Sequence, residues 1–241
     1  MSHKDDKNTL TDTANSAKTQ EKAPTVSVAV IKRLPRYFRY LRELIRMEKA
    51  RVSSAELSRM MNVTASQIRQ DLNCFGGFGQ QGYGYNVNYL YAKICEILGV
   101  GKGYRAAVIG SGNLGSALVR SPMFEKRGVD VVAMFDVSEN IIGTRIGSVY
   151  VYDMADMESV LADLDVDIVI LTLPKEYAID VSRRLAKTAI HGVWNFTGKE
   201  LDLKDKGIIV ENVHIGDSLM TLCYEIAKND NDKERKNKNG Q

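Results

Sequence analysis

The stretch that decides the fold is RAAVIGSGNLG, residues 105–115. It sets Gly110, Gly112 and Gly115 in the spacing G-x-G-x-x-G, directly after an apolar run that predicts a strand. In dinucleotide-binding domains the first glycine permits a tight turn, the second lets the backbone approach a pyrophosphate, and the third lets helix and strand pack closely. The helix that follows offers N–H groups and a positive dipole end to phosphates. The stretch therefore predicts a Rossmann domain.

A carboxylate follows the next predicted strand, which ends at Phe135-Asp136, 21 residues past Gly115. An acidic side chain at this spacing accepts hydrogen bonds from the adenosine ribose 2′-OH and repels the 2′-phosphate of NADP(H). The pattern favours NADH and NAD⁺ as ligands. The alternative is a Rossmann-like domain that no longer binds a nucleotide.

Beyond residue 103 the chain alternates apolar runs with amphipathic stretches. We predict strands at Ala106–Ile109, Val129–Phe135, Ile168–Leu171, Val193–Phe196 and Ile208–Val210. We predict helices at Leu114–Arg120, Met157–Leu164 and Tyr177–Thr188. Strands that alternate with helices indicate an α/β domain with a doubly wound parallel sheet covered on both faces. We assign this Rossmann domain to residues 103–215.

A last helix, assigned to residues 216–228, is apolar around too much of its circumference to pack against one surface only. We expect it to act as a dimerisation helix between two subunits. The polar segments 1–24 and 229–241 lack apolar periodicity, which predicts disordered tails at both ends.

Residues 25–99 have the pattern of a winged helix, a helical domain with a β-hairpin wing. Apolar periodicity predicts one helix up to Pro35 and a second from Pro35 onward, because proline suits a first helical turn. The glycine-rich segment 75–87 favours a tight hairpin. A helix over about 88–98 then leads to the linker GVGKG, residues 99–103.

Two further helices are predicted from capping boxes, in which a hydroxyl and a side chain three residues on bind each other's backbone N–H. Ser53 with Glu56 opens one helix, and Thr64 with Gln67 opens the next. Because only a short link separates the two helices, a helix-turn-helix is predicted.

The charge distribution supports a DNA-binding first half. Residues 25–100 hold 11 Lys and Arg against 5 Asp and Glu, whereas residues 101–226 hold 13 against 18. A basic segment before an acidic one suggests that the first meets a polyanion. A solvated helical face that happens to be basic is the alternative.

The second capped helix is the candidate recognition helix, because this element enters the major groove in a winged helix. Its polar side chains include types that read base edges or touch phosphates. The candidate base-reading residues are Ser66, Gln67, Arg69 and Gln70, and Thr64 is a further candidate DNA contact. The candidate phosphate and wing contacts are Arg33, Arg36, Ser53, Ser54, Gln81 and Tyr83. Two alternatives stay open: Arg69 as a solvated arginine, and Gln81 and Tyr83 as hairpin caps.

Other features bound the class of protein. The three cysteines are odd in number and far apart, which favours a reducing compartment, and no apolar run approaches a membrane span or a signal-peptide core. We therefore expect a cytoplasmic protein without a membrane partner.

His214 is the one histidine expected to face a cofactor, and no acid/base partner is evident. We expect no enzyme; an NAD-dependent oxidoreductase with an appended helical domain is the alternative.

Three stretches together resemble the Rex family of redox-sensing repressors: IKRLPRYFRYL at 31–41, TASQIRQDLNCFGGFGQQGYGYNV at 64–87, and VIGSGNLGSAL at 108–118. The resemblance is collinear from about Val26 to Ala227. It implies a homodimer with N-terminal winged helices, C-terminal Rossmann domains and a C-terminal helix exchanged between subunits. It also implies a repressor that binds inverted-repeat operators in double-stranded DNA when NADH is low and releases them when NADH binds.

The resemblance implies cofactor contacts in four segments. They are Gly110, Ser111, Gly112, Asn113, Leu114 and Gly115; then Asp136; then Thr172, Leu173 and Pro174 near the nicotinamide; then Asn195 and Phe196. It also implies DNA contacts by Arg33, Ser54, Ser66, Gln67, Arg69 and Gln81.

The chain departs from the Rex pattern at three places. Many relatives have a Tyr where this chain has Ser121, and in some that Tyr pairs with an Asp where this chain has His214. The usual Phe-Ala-Pro is here Phe196-Thr197-Gly198. The Tyr–Asp pair is thought to help distinguish NADH from NAD⁺. The alternative reading is therefore a Rex paralogue that binds DNA and dinucleotide but responds weakly or not at all to NADH.

Overall fold

The computed structural model describes residues 26–76, 79–80 and 83–239. It divides into two compact units, the first ending at Ile94 and the second beginning at Cys95. The division falls inside a helix, a few residues before the linker 99–103 where the sequence suggested a boundary. The expected N-terminal tail, 1–24, lies outside the described residues.

The first unit is a winged helix. Its helices are α1 (Val28–Arg46), α2 (Ser54–Met61), α3 (Ala65–Asn73) and the start of α4 (Val87–Leu98). Its strands are β1 (Arg51–Val52), β2 (Gly79–Gln80) and β3 (Gly84–Asn86), which pair antiparallel in the order β1-β3-β2. Its core consists of fully buried apolar side chains from the helices, such as Leu34, Leu57 and Ile68.

Helix α1 is continuous through Pro35, so the prediction of two helices meeting at this proline is wrong. Proline in a helix interior removes one backbone hydrogen bond and costs about 3 kcal/mol. The apolar stripe of α1 continues on both sides of Pro35, and Leu34, Tyr37 and Leu41 are fully buried. Burying this stripe offsets the lost bond, and Pro35 itself lies on the exposed side.

The capping residues of α2 and α3 are as predicted. Ser53 Oγ accepts the N–H of Glu56 at 3.1 Å, and Thr64 Oγ1 accepts the N–H of Gln67 at 3.1 Å. The reciprocal half of each capping box is absent, because the side chains of Glu56 and Gln67 bind elsewhere. Glu56 pairs with Lys49.

The second unit contains a seven-stranded sheet in the order β10-β9-β8-β4-β5-β7-β6, parallel except for the edge strand β6. In chain order the strands are β4 (Tyr104–Ile109), β5 (Val129–Asp136), β6 (Arg145–Ile146), β7 (Val149–Asp153), β8 (Ile168–Leu171), β9 (Gly192–Asn195) and β10 (Ile209–Asn212). The helices are α5 (Asn113–Val119), α6 (Met157–Asp163), α7 (Ala178–Leu185) and α8 (Ile215–Asn239).

Apolar side chains alternate between the two faces of this sheet. Along β4, Ala107 and Ile109 join one core cluster, and Ala106 and Val108 join the other. A strand buried on both faces is typical of a parallel sheet in a Rossmann domain, and the predicted fold class is confirmed.

The hairpin β6–β7 was not predicted. Its strands have two and five residues, and Gly147 makes the turn with a φ of 62°. In β7, Val149 and Val151 are buried, and the strand extends the sheet beside β5. The predicted strands do not cover this region, although VYVY at 149–152 is a run of β-branched and aromatic residues that favours a strand.

Helix α8 is longer than predicted, since it continues to Asn239 through most of the segment expected to be disordered. Its apolar side chains are exposed in the single chain: Ile215, Leu219, Met220, Leu222, Tyr224 and Ile226 are 53–69% exposed. Among the described residues, no helix is both long and apolar enough to cross a bilayer.

Candidate dinucleotide and DNA sites

The glycine-rich loop joins β4 to α5 at the carboxyl edge of the sheet. Gly110 has a φ of 100°, and a Cβ there would lie 2.9 Å from the carbonyl oxygen of Thr172. A Cβ on Gly115 would lie 2.0 Å from the carbonyl oxygen of Gly110. A Cβ on Gly112 would meet nothing within 4 Å. The fold therefore requires the first and third glycines, whereas the second leaves open space where a phosphate can approach.

The loop lies at the point where the strand order reverses. Strand β4 has β5 on one side and β8 on the other, and ligands of open α/β sheets bind at such a switch point. Helix α5 begins at Asn113, and its N-cap Gly112 makes no side-chain capping bond. The first-turn N–H groups, which include those of Asn113 and Leu114, are thus available to an anionic ligand.

Asp136 ends β5 and faces the glycine loop. Its Oδ2 accepts the backbone N–H of Ser111 at 2.7 Å and the Ser111 hydroxyl, and its Oδ1 accepts the N–H groups of Val137 at 2.8 Å and Ser138 at 2.9 Å. Burial opposes ionisation of this carboxyl, but the hydrogen bonds from Ser111, Ser138 and Val137 outweigh it and lower the pKa of Asp136. The group is a carboxylate at neutral pH.

A cavity of about 440 Å³ opens beside Asp136. Its lining includes Gly110, Leu173, Pro174 and Tyr177. The volume suits part of a dinucleotide. The resemblance implies that Leu173 and Pro174 lie near the nicotinamide, and the structure places both in the lining of the same cavity as Asp136.

Thr172 joins the loop after β8 to the glycine loop. Its Oγ1 donates to the carbonyl oxygen of Gly110 at 2.8 Å or of Ile109 at 3.1 Å, and its own N–H binds the carbonyl of Ile109 at 2.9 Å. Thr172 therefore fixes the spacing between the two loops that border the switch point.

The side chain of Asn195, for which the resemblance implies a cofactor contact, is engaged within the protein. Its Nδ2 donates to the carbonyl of Lys199 and to Asn212 Oδ1, both at 2.7 Å. Its Oδ1 accepts the N–H of Thr197 at 3.1 Å and the Thr197 hydroxyl at 2.7 Å. Since these bonds use the whole hydrogen-bonding capacity of an amide side chain, Asn195, which is 1% exposed, holds the loop after β9. Phe196 packs against Trp194, with ring centroids 4.6 Å apart.

The three departures from the Rex pattern lie in distinct surroundings. His214 Nε2 lies 3.9 Å from Glu200 Oε1, and the Ser121 hydroxyl accepts the N–H of Met123 at 3.4 Å. Gly198 has a φ of 70°, which proline cannot adopt. The loop in this conformation therefore could not accommodate a proline at position 198.

The exposed face of α3 is the candidate DNA-reading surface. Ser66, Arg69 and Gln70 are exposed, as the prediction requires, whereas Ile68 and Leu72 are fully buried.

One further residue on this face was missed. Asn73 is exposed and continues the same row at the spacing i, i+3, i+4, i+7 counted from Ser66. That spacing was visible in the sequence. An Asn side chain can bind adenine in two places, so Asn73 joins the candidates.

Arg33 and Gln67, two other predicted DNA contacts, are engaged inside the first unit. Both donate to Asp71, a carboxylate on α3 with no solvent exposure. Arg33 binds it through Nε at 2.7 Å and Nη2 at 2.6 Å, and Gln67 binds it through Nε2 at 2.8 Å. The hydroxyl of Tyr37 adds a fourth bond at 3.0 Å. We call these four residues the Asp71 cluster; it fastens the recognition helix to α1.

The Asp71 carboxyl is ionised despite its burial. Burial raises its pKa, but the hydrogen bonds from the three donors outweigh this effect and lower the pKa below the ordinary value. Burial and the nearby Asp71 charge raise the pKa of Tyr37, so that its hydroxyl stays a neutral donor. No local sequence pattern predicts this cluster, because its members lie on two helices far apart in the chain.

Several remaining predicted DNA contacts also have partners within the protein. Arg36 Nη2 donates to the carbonyl of Met61 at the end of α2, and Arg69 Nη1 lies 3.2 Å from Ser54 Oγ. Ser53 and Thr64 are helix caps that remain exposed.

In the wing, Tyr83 is 71% exposed, and the guanidinium of Arg51 lies 5.9 Å from the centre of its ring. Gln81 lies outside the described residues. Tyr83 is thus the one predicted wing contact that the structure describes.

The two units define a class: a winged-helix protein with an exposed polar recognition face and a dinucleotide-type Rossmann domain. The family model described as a putative DNA-binding protein N-terminus matches residues 25–73, and the model described as a CoA binding domain matches residues 101–198.

Relatives along most of the chain narrow this class. The redox-sensing transcriptional repressor Rex of Clostridium beijerinckii is 48% identical over 204 residues, which is 85% of this chain and 96% of that protein. The repressor Rex of Thermoanaerobacter sp. (strain X514) is 48% identical over 85% of this chain and 91% of that protein.

Two solved structures agree. RSP in complex with β-NAD⁺ and operator DNA matches with a TM-score of 0.80 at 47% identity, over 88% of this chain and 97% of that one. RSP in complex with β-NADH matches with a TM-score of 0.80 at 44% identity, over 87% and 98% of the two chains. The chain belongs to the Rex family of redox-sensing transcriptional repressors.

Proposed function

We propose that this protein is a DNA-binding transcriptional repressor that senses the NADH/NAD⁺ ratio. It binds inverted-repeat operators when NADH is low and releases them when NADH binds. The observation that carries the proposal is the match to RSP, which was solved with β-NAD⁺ and operator DNA and separately with β-NADH. The geometry of both candidate sites in this chain supports it.

In the dinucleotide site, the open space above Gly112 and the N-terminus of α5 receive the pyrophosphate. Asp136 receives the adenosine ribose, and its negative charge disfavours NADP(H) because a 2′-phosphate would be repelled. Leu173 and Pro174 provide an apolar wall beside Asp136.

In the DNA site, α3 enters the major groove and presents Ser66, Arg69, Gln70 and Asn73 to base edges. Arg69 is the strongest candidate for reading a base, because a guanidinium can bind guanine in two places. The Asp71 cluster positions this helix from inside the protein.

The protein acts as a homodimer, which matches the two halves of an inverted repeat. Helix α8 exposes a broad apolar surface in the single chain, and a second copy would cover it. An apolar cavity of about 560 Å³ between Met123, Phe124, Trp194 and Ile209 offers a place for the exchanged helix. A dimer in sedimentation experiments, lost on replacement of Leu219 and Leu222 by Glu, would support this assembly.

We infer that the chain is a cytoplasmic regulator and no enzyme. The relatives that match most of the chain are transcriptional repressors, which supports this inference. Turnover of NADH with a panel of aldehydes, or of NAD⁺ with a panel of alcohols, would contradict this inference.

The test of the function is fluorescence anisotropy of an inverted-repeat duplex at fixed salt, since DNA affinity depends steeply on salt. We expect tight binding, with release at NADH concentrations where NAD⁺ does little. Tight binding indifferent to both nucleotides would instead indicate a paralogue without the redox response, which the departures at Ser121 and His214 favour. Failure to bind DNA would overturn the repressor function.

A further inference from the structure

The carboxylate of Asp136 is already fully occupied in the single chain. Each of its oxygens accepts two hydrogen bonds, and the four donors are the backbone N–H groups of Ser111, Val137 and Ser138 and the hydroxyl of Ser111. A carboxylate has about four lone-pair sites. Nothing on this group is left for a fifth donor.

A ribose must therefore displace one of these donors. Three of them are backbone N–H groups, whose positions the end of β5 and the glycine loop fix. The Ser111 backbone is further held by Ser116, whose hydroxyl donates to the Ser111 carbonyl at 2.7 Å. The Ser111 hydroxyl is the one donor that can rotate away without moving the backbone.

We propose that the Ser111 hydroxyl competes with the adenosine ribose for Asp136 and thereby sets the affinity of the site. This inference rests on the proposed dinucleotide function and reverses the role implied for Ser111, which was that of a direct cofactor contact. Ser111 is 6% exposed, and the Asp136 carboxylate that its hydroxyl binds lines the cavity, so the hydroxyl and a ligand in the cavity would compete for the same carboxylate. NADH and NAD⁺ have the same adenosine half, so the competition weakens the binding of both nucleotides equally.

The experiment is calorimetric titration of the full chain with NADH, NAD⁺ and ADP-ribose, for wild-type protein and Ser111→Ala. One net hydrogen bond corresponds to about a three- to tenfold change in Kd, so we expect all three ligands to bind about three- to tenfold more tightly to the variant. The ratio of the NADH and NAD⁺ dissociation constants should stay as in wild type. The matched control is Ser159→Ala, at an exposed serine of α6 outside the cavity lining, and it should leave all three constants unchanged.

Weaker or unchanged binding of ADP-ribose by Ser111→Ala would overturn the inference, because the hydroxyl would then assist the ligand or play no part. A change confined to NADH would also overturn it, since the hydroxyl would then act at the nicotinamide. If wild-type protein bound none of the three ligands, the proposed dinucleotide function itself would fall.

Discussion

Replacing the buried carboxylate of the Asp71 cluster should destabilise the winged helix while leaving the Rossmann domain intact. Asp71→Asn removes the charge and turns an N–H₂ group toward existing donors. Breaking a buried ion pair costs about 3–5 kcal/mol. Because the Arg33 side chain is 24% exposed and can regain water, we expect a loss of about 2–4 kcal/mol. For a domain of this size the loss lowers the melting temperature by roughly 10 °C or more.

The assay is urea unfolding of the full chain followed by two signals. Far-UV circular dichroism reports helices in both units, and Trp194, the one tryptophan of the chain, reports the second unit. We expect part of the dichroism transition to move to lower urea while the Trp194 transition stays in place. Glu43→Gln, at an exposed carboxylate of α1, is the control and should move neither. A free energy of unfolding for Asp71→Asn within about 0.5 kcal/mol of wild type would refute the reasoning, because an ordinary surface substitution has an effect of that size.

Acid should weaken the same unit. The pKa of Asp71 is lower in the folded protein than in the unfolded chain. Its stabilising contribution is therefore fully present above about pH 4, the unfolded pKa of Asp, and is lost as the pH falls through the lower folded value. Urea titrations at a series of pH values should show this loss in wild type and a smaller one in Asp71→Asn. If the two proteins lost stability equally as the pH falls, Asp71 would not be the source of this loss.

Three further predictions concern the candidate sites. Gly112→Ala should keep wild-type stability but weaken NADH binding at least tenfold. Gly115→Ala, whose Cβ would lie 2.0 Å from a carbonyl oxygen, should lower the melting temperature. Equal melting temperatures of the two variants would contradict the assignment of open space to Gly112 alone. Arg69→Ala should weaken operator binding by about 1–3 kcal/mol and relax the preference at one base pair. Gln67→Ala should lower the stability of the first unit more than it changes the base preference. Anisotropy with operators that carry single base substitutions distinguishes these two effects. His214→Asp should change the NADH concentration needed for operator release, and an unchanged midpoint would exclude His214 from the switch.

Features encoded by neighbouring residues were predictable from the sequence. The glycine loop, the caps Ser53 and Thr64, and the apolar strands before Gly110 and Asp136 each depend on residues a few positions apart. The structure reproduces them, because turn chemistry, capping and periodicity are local properties of the chain.

Features that depend on distant partners were not predictable. Its residue type and position predict that Arg33 contacts phosphate, because nothing in the sequence shows that Asp71, 38 residues further on, is buried against it. The polar atoms of Asn195 are satisfied by three residues that only the folded loop brings together. Local propensity favours a helix start at Pro35, but burial of the apolar stripe of α1 outweighs this propensity.

The central claim is that one chain couples dinucleotide binding to DNA binding, and linkage gives its most direct test. If NADH weakens operator binding by some factor, operator DNA must weaken NADH binding by the same factor. We would measure the NADH dissociation constant by nucleotide fluorescence with and without a saturating inverted-repeat duplex, at fixed salt. The account predicts a dissociation constant raised by the factor seen in DNA release, with a smaller effect for NAD⁺. An NADH affinity that is the same with and without the operator would contradict it.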